Sequence, residues 1–206
     1  LRAARMAPAP MVASSVVRNN TLNGVRTSLN RYGAGIYAEN AAVTFSDLAV
    51  VSNTAVCDNP CYGIGVCLVG GTAKMTGCVI STNFINYSWK IFGIGLYAGA
   101  VNPLSISNST FRGNSAGSLL AYADGGALYI TGNSAFSVEN CVFDANTLPG
   151  VTTAPYVTAR RGSAIHAYNT TQGVISDCLL TGSSGGNAQE MIYVDIQTTN
   201  RVTLRN

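Results

Sequence analysis

The sequence predicts an all-β fold, a right-handed single-stranded parallel β-helix of about five to six coils at roughly thirty residues each. Three observations carry that reading. A glycine-led segment recurs along the chain, each copy is followed by further short strands, and no stretch has the 3.6-residue periodicity of a helix.

The glycine-led copies are Gly33-Ala-Gly-Ile-Tyr-Ala38, Gly63-Ile-Gly-Val-Cys-Leu68, Gly93-Ile-Gly-Leu-Tyr-Ala98, Gly125-Gly-Ala-Leu-Tyr-Ile130 and Gly162-Ser-Ala-Ile-His-Ala167. Met191-Ile-Tyr-Val194 is a reduced sixth copy. A second strand follows each: Val43-Thr-Phe45, Ala73-Lys-Met75, Leu104-Ser-Ile106, Phe136-Ser-Val138, Gly173-Val-Ile175 and Val202-Thr-Leu204. A third ends in asparagine, as in Leu48 to Asn53, Cys78 to Asn83, Ser109 to Asn114 and Cys141 to Asn146, with Ser15 to Asn20 as the first of its kind. A longer connection runs from Leu148 to Arg161. A propeller blade needs about forty residues and four strands, so the spacing fits a stacked coil better. Residues 1–206 are expected to form one β-helix domain within a longer protein, with residues 1–12 an irregular N-terminal segment.

Composition excludes several classes. Of 206 residues, 10% are charged, 47% are hydrophobic and 22 are glycine, which rules out a charged disordered tail. No run of about eighteen apolar residues occurs, so no helical membrane span is expected. A net charge of +3 from scattered arginines is too thin for a nucleic-acid footprint. One histidine and one tryptophan make a poor acid–base toolkit.

Alternation sorts the positions into inward and outward columns. One inward ladder is Ile36, Val66, Leu96, Leu128 and Ile165, and another is Val50, Ile80, Phe111, Phe143 and Leu180. A third, Leu48, Cys78, Ser109, Cys141 and Cys178, stacks three thiols in the interior as inert packing. Directly stacked cysteines hold their Cβ atoms slightly too far apart for an unstrained bridge. Asn20, Asn53, Asn83, Asn114 and Asn146 form a structural ladder at the corner after the third strand, where asparagine tolerates a left-handed backbone and stacked amides bond to one another. Ser183 interrupts this column.

Six cysteines point to an oxidising compartment, and Cys57-Asp-Asn-Pro-Cys61 is spaced to close a tight disulfide loop. A zinc site at Cys57, Cys61 and Cys67 lacks a fourth ligand, so no metal or cofactor is expected.

Gly-Gly-Ala-Leu (Gly125 to Leu128) and Phe-x-x-Asn (Phe111 to Asn114 and Phe143 to Asn146) resemble the repeats of chlamydial polymorphic outer membrane proteins and related right-handed β-helix proteins. The resemblance extends more weakly from Val16 to Asn206; elsewhere Gly33-Ala-Gly-Ile and Gly63-Ile-Gly-Val replace the first motif, and Val17, Val50, Ile80 and Leu180 replace the phenylalanine. It implies a surface-exposed, adhesin-like or passenger domain, secreted or at the cell surface.

The same fold hosts polysaccharide lyases and hydrolases, which need acids clustered on adjacent coils. Hydrolysis uses two carboxylates about 5 to 10 Å apart. Asp47 and Asp177 share a column but lie several coils apart, and Asp124 precedes the fourth copy where Arg161 precedes the fifth, a candidate salt bridge. No column holds two neighbouring acids, so an enzyme is not expected. The outward residues of the first strand are Tyr37, Cys67, Tyr97, Tyr129, His166 and Tyr193. Four tyrosines and a histidine on one face make either a self-stabilising aromatic column or a candidate binding strip for sugars or protein. His166 has no carboxylate neighbour in this reading. Sequons at Asn19, Asn86, Asn108 and Asn169 suit a secreted glycoprotein.

The expected function is a non-catalytic extracellular scaffold, adhesin or filament component, with a carbohydrate-binding or carbohydrate-active module as the alternative. Neither end shows a capping helix. Its coils are expected to stack on further coils of the same protein or on other subunits.

Overall fold

The computed structural model describes residues 2–3, 11–24, 29–132, 135–148, 160–185, 191–195 and 201–205. The described residues contain no helix, and parallel sheets stack as a β-solenoid of about 5 turns, about 31 residues apart. The first sheet runs through Ile36–Glu39, Val66–Val69, Leu96–Gly99, Leu128–Thr131, Ile165–Tyr168 and Ile192–Asp195. The second runs from Ala42–Ser46 to Arg201–Arg205, and the third from Val16–Arg18 to Leu179–Thr181. Registers are continuous: Ile36 pairs with Val66, Val66 with Leu96, Leu96 with Leu128 and Leu128 with Ile165.

Two features differ from expectation. A fourth parallel sheet closes each coil, between the asparagine ladder and the next glycine. Its strands range from two residues at Cys61–Tyr62 to ten at Ser115–Asp124, so their lengths do not repeat from coil to coil. The N-terminal segment is also not irregular throughout. Arg2–Ala3 joins the first sheet beside Tyr37 and Ala38, and Met11–Ala13 joins the second, because ladder pairing uses backbone groups that almost any residue supplies.

Corners between strands are turned by single left-handed residues. Asp47, Gly77, Asn108, Asn140 and Asp177 turn the second strand into the third at φ of 52°, 65°, 48°, 50° and 52°. Ser52, Thr82, Gly113 and Ala145 turn the third into the fourth. The left-handed residue is therefore the one before each ladder asparagine, and Asn53, Asn83, Asn114 and Asn146 themselves are not left-handed. Gly93 (φ 65°) opens its copy because a Cβ there would overlap the carbonyl of Leu96.

The interior holds two apolar clusters. The larger lies among the first three sheets and includes the predicted ladders from Ile36 to Ile165 and from Val50 to Phe143. A smaller one, with Ile64, Ile85, Ile91, Ile94 and Leu148, lies beneath the fourth sheet. Side-chain volumes complement each other from coil to coil. Gly173 is paired with Phe136, and a Cβ on it would overlap the Phe136 ring, so the missing side chain is the space that the ring fills.

Candidate functional site

The asparagine ladder is a continuous amide stack. Asn53, Asn83, Asn114 and Asn146 are fully buried, and each Oδ1 accepts two bonds from the asparagine one coil earlier. At Asn114 these come from the Asn83 backbone N–H at 3.2 Å and the Asn83 Nδ2 at 2.9 Å. Asn114 Nδ2 donates onward to Asn146 Oδ1 at 3.0 Å and back to the Ile80 carbonyl at 2.9 Å. Asn20, at the exposed end, donates to Asn53 Oδ1 at 2.8 and 3.1 Å. Ser183 does not break the column outright, since its hydroxyl accepts the Asn146 backbone N–H at 3.2 Å. The ladder thus satisfies buried main-chain groups between the two apolar clusters. Its role is structural.

The predicted tyrosine strip points away from the larger core but does not line the surface. Tyr129 is 6% exposed and His166 is 1% exposed, while Tyr37, Tyr97 and Tyr193 are half-buried. A second aromatic column, missed in the sequence, lies against Tyr37, Tyr97 and Tyr129. It comprises Tyr32, Tyr62 and Phe92, paired in register on the fourth sheet. Its signal was present, because these are the residues immediately before Gly33, Gly63 and Gly93. Tyr32 stacks on Tyr62 at 5.1 Å and 18°, and Tyr62 on Phe92 at 5.3 Å and 20°. Tyr97 stacks on Tyr129 at 5.7 Å and 7°. Across the columns, Tyr62 meets Tyr97 edge-on at 5.0 Å, and Phe92 leans on Tyr129 at 5.2 Å. Burial pushes the Tyr62, Tyr97 and Tyr129 phenols up, and Tyr37 is raised to about 12 by burial and by its hydrogen bond to Glu39.

His166 has a carboxylate neighbour after all. Asp124 continues the Tyr32–Tyr62–Phe92 column by one coil, and its Oδ1 lies 3.6 Å from His166 Nδ1. The sequence reading missed the pair because the two residues sit in different sheets on successive coils. Edge-on rings of Tyr129 and Tyr193, each at 4.9 Å, box the imidazole. Arg161 pairs with Asp124 through the backbone, but its guanidinium lies over the Tyr193 ring at 5.2 Å rather than on the carboxylate. A general base must reach the proton it removes, and this imidazole is walled off from solvent. Asp144 is not a free turn acid either, because Arg112 on the preceding coil holds it at 3.0 Å.

The structure joins Cys57 to Cys61 in a disulfide beside Tyr62. Cys67, Cys78, Cys141 and Cys178 are free thiols, and no cluster of three or more metal-binding side chains occurs among the described residues. The sequon residues Asn19, Asn86, Asn108 and Asn169 are all exposed, and Asn19, Asn108 and Asn169 occupy left-handed corners. Fold and site together define a parallel β-solenoid with an outer aromatic seam. No known protein-family model matches the chain, and no curated protein or solved structure is detectably similar to it.

Proposed function

We propose that this chain is a non-catalytic β-solenoid segment of a secreted or cell-surface protein, acting as a rigid scaffold, adhesive or fibre-forming element. The observation that carries the reading is how the outer aromatic groups are used. Sugar recognition by aromatic residues needs an open ring face, and in this seam the faces lie against one another along the coil axis. Of the acids nearest the seam and the third sheet, Asp144 is held by Arg112, and Asp124 is buried with its Oδ1 3.6 Å from His166 Nδ1. A disulfide and four exposed sequons support the extracellular assignment. The finer kinship, to the polymorphic outer membrane protein repeats, rests on the Gly-Gly-Ala-Leu and Phe-x-x-Asn motifs alone.

Partners on this reading are further coils, of the same protein or of another subunit. Val12 and Val17 at one end, and Leu180, Ile192, Val194 and Val202 at the other, are only partly covered against the core. A glycan array paired with a turnover assay on acidic polysaccharides tests the proposal. Silence in both is expected, binding without turnover would replace it with a lectin-like module, and turnover would overturn it. Light scattering across a concentration series tests the end-stacking, with growth in mass expected and a monomer at every concentration refuting it.

A further inference from the structure

We propose that Cys141 and Cys178 form a thiol modification site that exchanges with a small-molecule disulfide and closes into a disulfide between successive coils. Val142 pairs with Leu179, so Cys141 and Cys178 are the residues just before two paired strands, and the Leu179 N–H bonds the Cys141 carbonyl at 2.9 Å. Strands in a sheet lie about 4.8 Å apart, inside the Cα separation of roughly 4.4–6.8 Å that disulfides span. The stacked Cβ atoms need to approach by only a few tenths of an ångström. Each thiol now donates to the carbonyl two residues before it, Cys141 to Glu139 and Cys178 to Ser176, both at 3.2 Å. Closure gives up these two weak bonds and the longer contacts of Cys178 with the Val138 carbonyl at 3.6 Å and of Cys141 with the Ile106 carbonyl at 3.9 Å.

The surroundings set an order of reaction. Cys178 is partly exposed, while Cys67, Cys78 and Cys141 are buried. The neighbouring Cys141 thiol holds Cys178 down to about 7, while Cys178 beside it, together with burial, pushes Cys141 up. Thiolate, not thiol, is the nucleophile, so Cys178 attacks first. Cys78 has no such partner, because the next residue in its column is Ser109, which accepts the Cys78 N–H at 3.1 Å. Burial raises Cys67 and Cys78.

With glutathione disulfide as the oxidant, Cys178 Sγ attacks one glutathione sulfur. The S–S bond breaks and one glutathione leaves as thiolate with the electron pair. Cys141 gives its proton to a departing thiolate and attacks Cys178 Sγ, expelling the second glutathione. Two protein thiols are oxidised, and one glutathione disulfide is reduced to two thiols.

The test is a time course of the full chain with glutathione disulfide, Cys57–Cys61 left intact, read by intact mass and peptide mapping. Expected is transient glutathione on Cys178, then a Cys141–Cys178 peptide lighter by two hydrogens. Cys141→Ser stalls at the Cys178 mixed disulfide, and Cys178→Ser slows reaction at Cys141 at least about tenfold. Serine already occupies this column at Ser109, so both variants are expected to keep the fold, with circular dichroism as the check. Glutathione that persists on Cys178 in the unaltered chain overturns the proposal. So does reaction at Cys67 or Cys78 as fast as at Cys178.

Discussion

Replacing Asn114 with alanine removes one rung from the centre of the amide ladder, and the structure sets what is lost. Both bonds that Asn83 donates to Oδ1 go, at 3.2 and 2.9 Å, as do both bonds that Nδ2 donates, to Ile80 O at 2.9 Å and to Asn146 Oδ1 at 3.0 Å. All of the partners are buried, so water does not replace them. At about 1 kcal/mol net per bond the loss is about 4 kcal/mol, a large share of the roughly 5–15 kcal/mol that holds a domain together. Two companion variants separate this account from a general intolerance of substitution. Asn20→Ala removes one side-chain bond at an exposed rung and is expected to cost under about 1 kcal/mol. Asn114→Ser keeps an acceptor for the main chain, as Ser183 does for Asn146, and is expected to fall between the two. Urea unfolding midpoints at constant slope measure all three. Equal costs for Asn114→Ala and Asn20→Ala, or for Asn114→Ala and Asn114→Ser, would refute the ladder as the source of stability.

Gly173→Ala places a Cβ in the Phe136 ring and is expected to cost about 1–3 kcal/mol, with Phe136→Leu relieving it; simple additivity in the double-mutant cycle would contradict the size-complementary packing. Tyr129→Ser empties a buried site and is expected to cost about 3 kcal/mol, against less than about 1 for the half-exposed Tyr37→Ser, compared by thermal or urea unfolding; similar losses would mean that the seam does not cover Tyr129. The phenols of Tyr37, Tyr62, Tyr97 and Tyr129 titrate higher in the fold than in the free chain. The folded state therefore holds more protons above about pH 10, so stability is full below that point and is lost as pH rises toward and past about 12. Urea midpoints followed upward from about pH 9 should fall, and a midpoint independent of pH would sink the covered-seam account.

The sequence by itself determined the coil. Within Ile36-Tyr37-Ala38 and its copies, period-2 alternation divides inside from outside, and the recurrence of about thirty residues stacks like on like, so the interior ladders and the amide column follow from local pattern. The asparagine column was legible because each rung bonds its own equivalent one coil on. Tertiary structure alone decided what the outside of the coil means. Alternation says that Tyr129 and His166 point away from the core, but not what lies over them. The cover comes from Tyr32, Tyr62, Phe92 and Asp124, whose recurrence one residue before each repeat glycine was readable but whose contact with the outward column of the first sheet was not, because it joins two different sheets. His166 meets Asp124 some forty residues away along the chain, because one is placed by the first sheet and the other by the fourth. Repetition encodes contacts between equivalent positions. Contacts between non-equivalent positions on neighbouring sheets depend on where the corners turn the chain, and that is set by single left-handed residues such as Gly93 and Gly125 whose effect is on direction rather than on pattern.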